Sequence, residues 1–136
     1  MKVRFAALAD YSNISREGKL NILGMFDIIH CLNFPAVHNE MQLVIRFEAD
    51  VTERGQQKEV EVRLIDDHGQ ELLRLGGRLS VPTVEPGEFI ISTQVLVFRG
   101  ITYPRPGDYQ FDIYIDGTRT TGTPLKVVQL RTGSSK

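Results

Sequence analysis

Apolar residues occupy both faces of the segment from Gly18 to Cys31 if that segment is extended. The two alternating sets are Leu20, Ile22, Phe26 and Ile28, and Leu23, Met25, Ile29 and Cys31. A strand with one solvated face alternates apolar and polar side chains, so this strand is expected to be covered on both faces. The first set is predicted to belong to the core, and the second set needs a further cover.

Clusters of Gly, Pro, Asp and Asn separate the other apolar runs at short intervals, as in proteins built from many short strands. A period of two is clear from Met41 to Asp50, where only Val44 interrupts the polar positions, so that strand is expected to have a solvated face. No long window has the period of an amphipathic helix. The pattern predicts eight strands, at about residues 2–9, 20–31, 41–50, 58–66, 70–80, 88–99, 108–116 and 119–130.

Eight strands without helical crossovers predict an all-β fold, an eight-stranded antiparallel β-sandwich. Asp116-Gly117 is a two-residue hairpin signal between the last two strands, and the turn from Asp66 to Gly69 is expected to join the fourth and fifth strands. Gly76-Gly77 inside a strand indicates a bulge or bend, because glycine contributes no packing to a regular strand.

Composition and charge limit the classes of partner. The 136 residues, 41% of them hydrophobic, suit a single domain, predicted at 1–131 and followed by a flexible polar tail at 132–136. Sixteen basic and seventeen acidic residues give a net charge of −1 without a basic cluster, so nucleic acid is not an expected partner. No signal-like or membrane-spanning apolar segment is present, and a lone cysteine, Cys31, is typical of a cytoplasmic protein.

Residues with catalytic or metal-binding chemistry are few. His30, Cys31 and His38 form the one cluster of potential ligands in the sequence, but neighbours on a strand point to opposite faces, so no metal site is expected. Cys31 has no base on its own face, and no glycine-rich loop precedes a helix. The acidic pair Asp66-Asp67 is explained by a solvated turn. The sequence therefore predicts neither an enzyme nor a cofactor.

Two resemblances add to this picture. The stretch "PRPGDYQFDIYIDG" resembles the strand that carries the tyrosine corner of immunoglobulin-like sandwiches, with Tyr109 as the corner residue, although the disulfide and core Trp of antibody domains are absent. The stretches "ALADYSNISREGKLNILGMFDII", "FPAVHNEMQLVIRFEAD" and "GDYQFDIYIDG" together resemble a family of small uncharacterised bacterial proteins classed as a domain of unknown function. This resemblance implies a compact bacterial β-protein and supplies no catalytic residues.

The second apolar face suggests a contact surface. Leu23, Met25 and Ile29 need a cover, and a second two-faced strand adds Leu96 and Phe98. The two strands are predicted to lie side by side in the middle of one sheet and to form a shared outer patch. That patch is covered either by a loop of the same chain or by another chain, such as a second copy in a homodimer.

The predicted function is a non-enzymatic protein-interaction or scaffolding module that can self-associate. Two alternatives remain open. A small-ligand binder needs a pocket lined by aromatic side chains, for which the candidates are Tyr11, Phe34, Tyr103 and Tyr114. A metal-dependent enzyme needs His30 or His38 close to a carboxylate or to Cys31.

Overall fold

The computed structural model describes residues 1–131, so the predicted tail at 132–136 lies outside the described residues. These residues form two facing β-sheets and one short 3-10 helix, in agreement with the predicted all-β sandwich. The strands are β1 (Lys2–Ile14), β2 (Leu20–Phe26), β3 (Ile28–Cys31), β4 (Ala36–Ala49), β5 (Gln57–Ile65), β6 (Glu71–Ser80), β7 (Ile90–Tyr103), β8 (Gly107–Ile115) and β9 (Thr118–Gln129), and the helix is Val51–Glu53.

The four-stranded sheet has the order β2-β1-β4-β7, and the five-stranded sheet has the order β3-β9-β8-β5-β6. The described residues thus contain nine strands and not the predicted eight, because the run from Gly18 to Cys31 divides at Asp27. Its first part pairs with β1 in the four-stranded sheet, and its second part crosses to the five-stranded sheet. The two parts of the run therefore have different neighbours: Ile29 in the second part is buried, whereas Leu23 and Met25 in the first part are exposed.

The prediction of a purely antiparallel sandwich is wrong at one pair of strands. β3 runs parallel to β9, with Ile29 opposite Val127, while the other pairs in residues 1–131 are antiparallel. The chain enters β3 from the opposite sheet and not from a hairpin, which allows this direction. The backbone amide of Lys126 donates to the carbonyl of Asp27 at 2.8 Å and fixes the start of the parallel pair.

The core lies between the two sheets. Its largest fully buried side chains come from both of them: Tyr103, Phe47, Phe111, Leu8, Met41, Leu43, Ile45, Leu64, Ile113 and Leu125. Burial of such side chains contributes about 1.5–3 kcal/mol each before the entropy of ordering is subtracted. Inward-facing residues of β4 and β8 therefore hold the sheets together.

The two predicted hairpin turns are confirmed, and the predicted bulge is not. Asp116 and Gly117 join β8 to β9 with φ angles of 50° and 81°, the left-handed conformation that this hairpin requires. Gly69, with φ 79°, closes the β5–β6 turn. The bulge predicted at Gly76-Gly77 is wrong, because these glycines pair regularly with Glu61 and Val60 while the irregularity of this pair of strands lies between Leu64 and Ile65. The two glycines lie in β6, an edge strand with a neighbouring strand on one side only. The packing that they lack is therefore packing against a single strand.

Candidate interaction surface

The outer face of the four-stranded sheet is identified by the register of its strands, because residues directly opposite each other point to the same side. Leu8 and Leu43 are paired and belong to the core. The next row along the strands must then point away from the core, and its members are Met25, Ala9, Gln42 and Val97. A second outward row is formed by Ala7, Val44 and Val95. We call these two rows the apolar outer face.

The apolar outer face has a buried floor and exposed margins. Met25 at one margin is 60% exposed, and Val97 at the other is 40% exposed. Val44, in the middle of the sheet, is 0% exposed, and Gln42 is also buried. The solvated face predicted for residues 41–50 is therefore wrong at its centre, where Gln42 and Val44 are buried.

One polar side chain of β4 lies within this face and a second lies just beyond it, and their hydrogen bonding differs. The Oε1 atom of Gln42 accepts a hydrogen bond from the hydroxyl of Ser12 at 2.6 Å. Arg46 continues the outward positions of β4 beyond Val44, and its buried Nε has no hydrogen-bond partner among residues 1–131. A buried donor without a partner costs about 1–3 kcal/mol. Arg46 as a whole is half-buried, so a rotation of its side chain would bring the guanidinium to a carboxylate or carbonyl oxygen supplied from outside.

A two-stranded arm extends beside this face. β1 pairs with β4 only as far as Ala9, so residues 10–24 pair with each other alone, and we call these residues the arm. The arm starts at an irregularity where Gly24 has φ +68° and a Cβ would lie 2.5 Å from the carboxylate of Asp10. Three of its apolar side chains are exposed, Leu23 at 61%, Ile14 at 50% and Tyr11 at 49%, while Leu20 and Ile22 are partly buried. A two-stranded hairpin without further strands is only marginally stable by itself. Contact of these exposed side chains with another surface would therefore stabilise the arm.

The five predicted contact residues do not form one surface. Leu23 and Met25 are exposed on β2, as expected for a contact. Ile29 is 7% exposed and packs in the core from β3, because the chain has crossed to the other sheet. Leu96 and Phe98 also face the core, and the ring centroid of Phe98 lies 5.4 Å from that of Phe111. The prediction that Ile29, Leu96 and Phe98 belong to an exposed patch is wrong.

The predicted arrangement of the two apolar strands is wrong as well. β2 and β7 form the two edges of the four-stranded sheet, with β1 and β4 between them. The outer residues that sequence reasoning missed are Ala9, Val44 and Val97, together with Arg46. Val44 was visible as the one apolar interruption among polar positions, whereas "VLVF" gives no signal of which alternate set faces outward.

The outer face of the five-stranded sheet is polar and its charges are paired. Arg63 lies 2.6 Å from the carboxylate of Glu61 and 4.0 Å from the ring centroid of Tyr114. Asp112, almost fully buried, accepts hydrogen bonds from Arg119 at 2.9 Å and Gln110 at 2.6 Å. The side chains of Arg119 and Gln110 cross the backbone of Gly122, where a Cβ would leave them no room.

The β5–β6 and β7–β8 loops are joined by a charged cluster. Nη2 of Arg105 lies 3.0 Å from Oδ2 of Asp66, 3.1 Å from Oδ1 of Asp67 and 2.7 Å from Nδ1 of His68. Asp66 is buried, so the prediction of a fully solvated acidic turn is wrong for this residue. Burial opposes ionisation, but hydrogen bonds from the Gln70 amide, Arg105 and the His68 amide lower the pKa of Asp66.

The predicted tyrosine corner lies beside this cluster, at the start of β8. The hydroxyl of Tyr109 donates a hydrogen bond to the carbonyl oxygen of Arg105 at 2.5 Å, four residues upstream. Its ring lies 5.1 Å from that of Tyr103 in an edge-to-face arrangement. The corner thus fixes the backbone of Arg105, whose guanidinium holds the neighbouring loop.

Side chains with metal-ligand chemistry come together at one place in the described residues. Within residues 1–131, the three ligand-type side chains that come within 4.8 Å of one another are Asp66, Asp67 and His68. Arg105 already places a positive charge among them. His30 is exposed and His38 packs 6.1 Å from the ring of Phe26, so neither joins Cys31 in such a group. Burial raises the pKa of the Cys31 thiol and disfavours the reactive thiolate.

A shallow concavity of about 460 Å³ lies on the outer side of the five-stranded sheet. Ile28, Ile65 and Pro124 supply its apolar wall, and the ion pair between Lys126 and Asp108, 3.0 Å apart, lies beside them. Its volume is in the range of small-ligand sites. None of the four aromatic candidates lines this concavity: Tyr103 is buried in the core, Phe34 packs against that core, Tyr114 lies under Arg63 and Tyr11 belongs to the arm.

Comparison with known proteins identifies a family and no activity. Residues 4–128 match the model of a family of unknown function (DUF6941). No curated protein matches the chain. In the part of the chain that the structure describes, no helix has the length and apolar character needed to cross a membrane.

Proposed function

The chain belongs to this family of unknown function, and we propose that it is a non-enzymatic protein-interaction module whose contact surface is the apolar outer face of the four-stranded sheet. One observation carries the proposal: Met25 and Val97 border a buried apolar floor, and the unpartnered Nε of Arg46 lies on the same side of β4. A strand rises about 3.4 Å per residue, which places Arg46 about 7 Å beyond Val44.

The chemistry of this face defines the partner. A protein surface with exposed apolar side chains would remove Met25 and Val97 from water, and a flexible Met adapts to different shapes. A carboxylate at its margin would accept from Arg46 and form a charge-assisted hydrogen bond, which is roughly twice as strong as a neutral one. We therefore propose a protein partner that presents an apolar patch with an acidic side chain beside it.

The proposal includes three further properties: a non-enzymatic role, a cytoplasmic location and an immunoglobulin-like sandwich. The raised pKa of Cys31 and the pairing of Asp66 and Asp67 with Arg105 support a non-enzymatic role without a cofactor. The lone cysteine supports a cytoplasmic location. The hydrogen bond from Tyr109 to Arg105 supports an immunoglobulin-like sandwich.

The second candidate function is small-ligand binding at the concavity lined by Ile28 and Ile65.

The proposal is tested with a displayed library of random peptides selected against the wild-type protein. Peptides that combine apolar residues with Asp or Glu are expected to be enriched, and their affinity should fall at least about tenfold for Met25→Asp/Val97→Asp. Arg46→Gln should weaken the preference for the acidic residue. The matched control is Leu75→Asp, because Leu75 on β6 is 43% exposed and lies in the other sheet. Selected peptides that bind all variants equally would contradict the proposal.

A further inference from the structure

The two sheets have four edge strands, and three of them have features that prevent pairing with another strand. β3 has four residues, and β2 has seven residues interrupted by Gly24 with φ +68°. β6 carries the charged residues Glu71, Arg74 and Arg78, and charged side chains on an edge strand disfavour pairing with another strand. These are the devices by which proteins keep edges from associating, namely short length, irregular backbone and charge.

The fourth edge, β7, has none of these features over most of its length. It is a strand of 14 residues without proline, and the nine residues from Ile90 to Phe98 carry no charge. Its backbone becomes irregular only at Gly100, which has φ +71°. Among residues 1–131, β4 alone supplies backbone hydrogen-bond partners to β7. Every second residue of this antiparallel edge directs its N–H and C=O groups away from β4, where no strand accepts them.

We propose that β7 pairs antiparallel with β7 of a second copy of this chain, about a two-fold axis perpendicular to the sheet. The two four-stranded sheets then become one continuous sheet of eight strands. Pairing over Ile90–Phe98 forms about nine inter-strand hydrogen bonds, since an antiparallel ladder has on average one for each residue of a strand. This contact needs no side chain of the apolar outer face to bind anything, so it is independent of the proposed function.

Charge and side-chain shape favour a second copy as the occupant. A two-fold axis within Ile90–Phe98 places uncharged residues opposite uncharged residues, so no like charges meet in this stretch. The outward side chains there include Thr93, Val95 and Val97, and β-branched residues pair favourably across strands. An identical partner also matches the edge in length, and a two-fold contact closes without leaving a free β7 edge for a third copy.

The dimer has a consequence for the apolar outer face. A two-fold axis perpendicular to the sheet keeps the outer faces of both copies on the same side. The rows that end at Val97 and Val95 then continue into the rows of the second copy. The apolar outer face doubles in width, and one partner can contact both copies.

Disulfide cross-linking tests this pairing in the full chain. In a Cys31→Ser background, single Thr93→Cys, Val95→Cys and Val97→Cys variants are oxidised alone and in pairwise mixtures. Residues opposite each other in an antiparallel pair have Cα atoms about 4.5–5.5 Å apart, within the roughly 4.4–6.8 Å that a disulfide spans. At least one variant or mixture should give covalent dimer in high yield. The control is Met25→Cys on the edge strand β2, which is exposed but should not cross-link efficiently.

Two measurements make the outcome decisive. Wild-type protein should sediment as a dimer, and Val95→Lys should sediment as a monomer, with unchanged circular dichroism showing that the variant is folded. The inference is overturned if the wild type is monomeric at every concentration, or if Met25→Cys cross-links as well as the β7 variants. Such a failure leaves the peptide selection at Met25 and Val97 untouched, so the two proposals fail separately.

Discussion

The outer faces of the two sheets have similar backbone geometry but opposite chemistry. On the five-stranded sheet the charges are paired, as in Arg63 with Glu61 and Arg119 with Asp112. On the four-stranded sheet the middle of the face is apolar around Val44, and Arg46 leaves a buried donor without a partner. A face whose charged side chains are paired within the chain is suited to contact with water. A face with exposed apolar side chains and a hydrogen-bond donor without a partner is suited to contact with another protein.

The largest expected effect comes from a charge placed at the centre of each face. Val44→Asp should lower the free energy of unfolding by at least about 3 kcal/mol, because the carboxylate replaces a fully buried apolar side chain. Tyr114→Asp on the five-stranded sheet should cost about 1 kcal/mol or a little more, since its ring is half-buried and water reaches the site. Urea denaturation of both variants measures the difference, and equal losses would contradict the contrast between the faces.

The loops of the five-stranded sheet should respond to acid. The pKa of Asp66 is lowered below its ordinary value of 3.8, so its contribution to stability is complete above that value and is lost as the pH falls through the folded-state pKa. Asp66→Asn should therefore be less stable than the wild type at pH 7, and the two stability curves should converge in acid. Urea midpoints measured from pH 7 to pH 2 test this expectation. A constant gap across that range would exclude ionisation as the cause.

Two arginine variants sharpen the comparison with a smaller effect. Arg119→Met leaves the buried carboxylate of Asp112 without its ion pair and should cost about 1–3 kcal/mol. Arg46→Met removes a buried donor that has no partner in residues 1–131, so the free energy of unfolding should stay within about 0.5 kcal/mol or rise. Thermal or urea unfolding of the pair provides the test. A larger loss for Arg46→Met would mean that this guanidinium already has a partner within the chain.

The smallest effect on stability is expected at the exposed margins. Met25→Asp on the four-stranded sheet should change the free energy of unfolding by less than about 0.5 kcal/mol, since Met25 is 60% exposed. Leu75→Asp on the five-stranded sheet should cost about 1 kcal/mol, since Leu75 is 43% exposed and lies opposite the buried Val62. Only Met25→Asp should weaken peptide binding. Parallel unfolding and binding titrations separate the two effects, and a loss of binding in both variants would remove the distinction between the sheets.

The sequence was most informative where short-range chemistry determines structure. Asp116-Gly117 predicted its hairpin, because few residues adopt the required left-handed conformation. The position of Tyr109 near the start of β8 predicted its hydrogen bond to the backbone of Arg105. The division at Asp27 was not predictable, because a single polar residue marks a crossing that depends on the distant strand β9. That crossing buries Ile29, and so the predicted contact surface failed there.

The sequence also could not predict which side chains of an apolar strand face the core and which face outward. "VLVF" is apolar at every position, so alternation cannot decide whether Val97 or Phe98 faces outward. The register with β4 decides it, since Phe98 lies opposite the buried Met41 and Val97 opposite Gln42. Arg46 has the appearance of an ordinary solvated residue in the sequence, and the burial of its Nε without a hydrogen-bond partner becomes visible only in the folded chain.

Methyl NMR with a selected peptide tests the central claim most directly. On titration of the peptide into the wild-type protein, the methyl signals of Met25, Val44 and Val97 should shift together, because these residues form one face across the sheet. The signals of Ile28 and Ile65, which border the concavity of the five-stranded sheet, should stay in place. Shifts confined to Ile28 and Ile65, with Met25 and Val97 unchanged, would contradict the account.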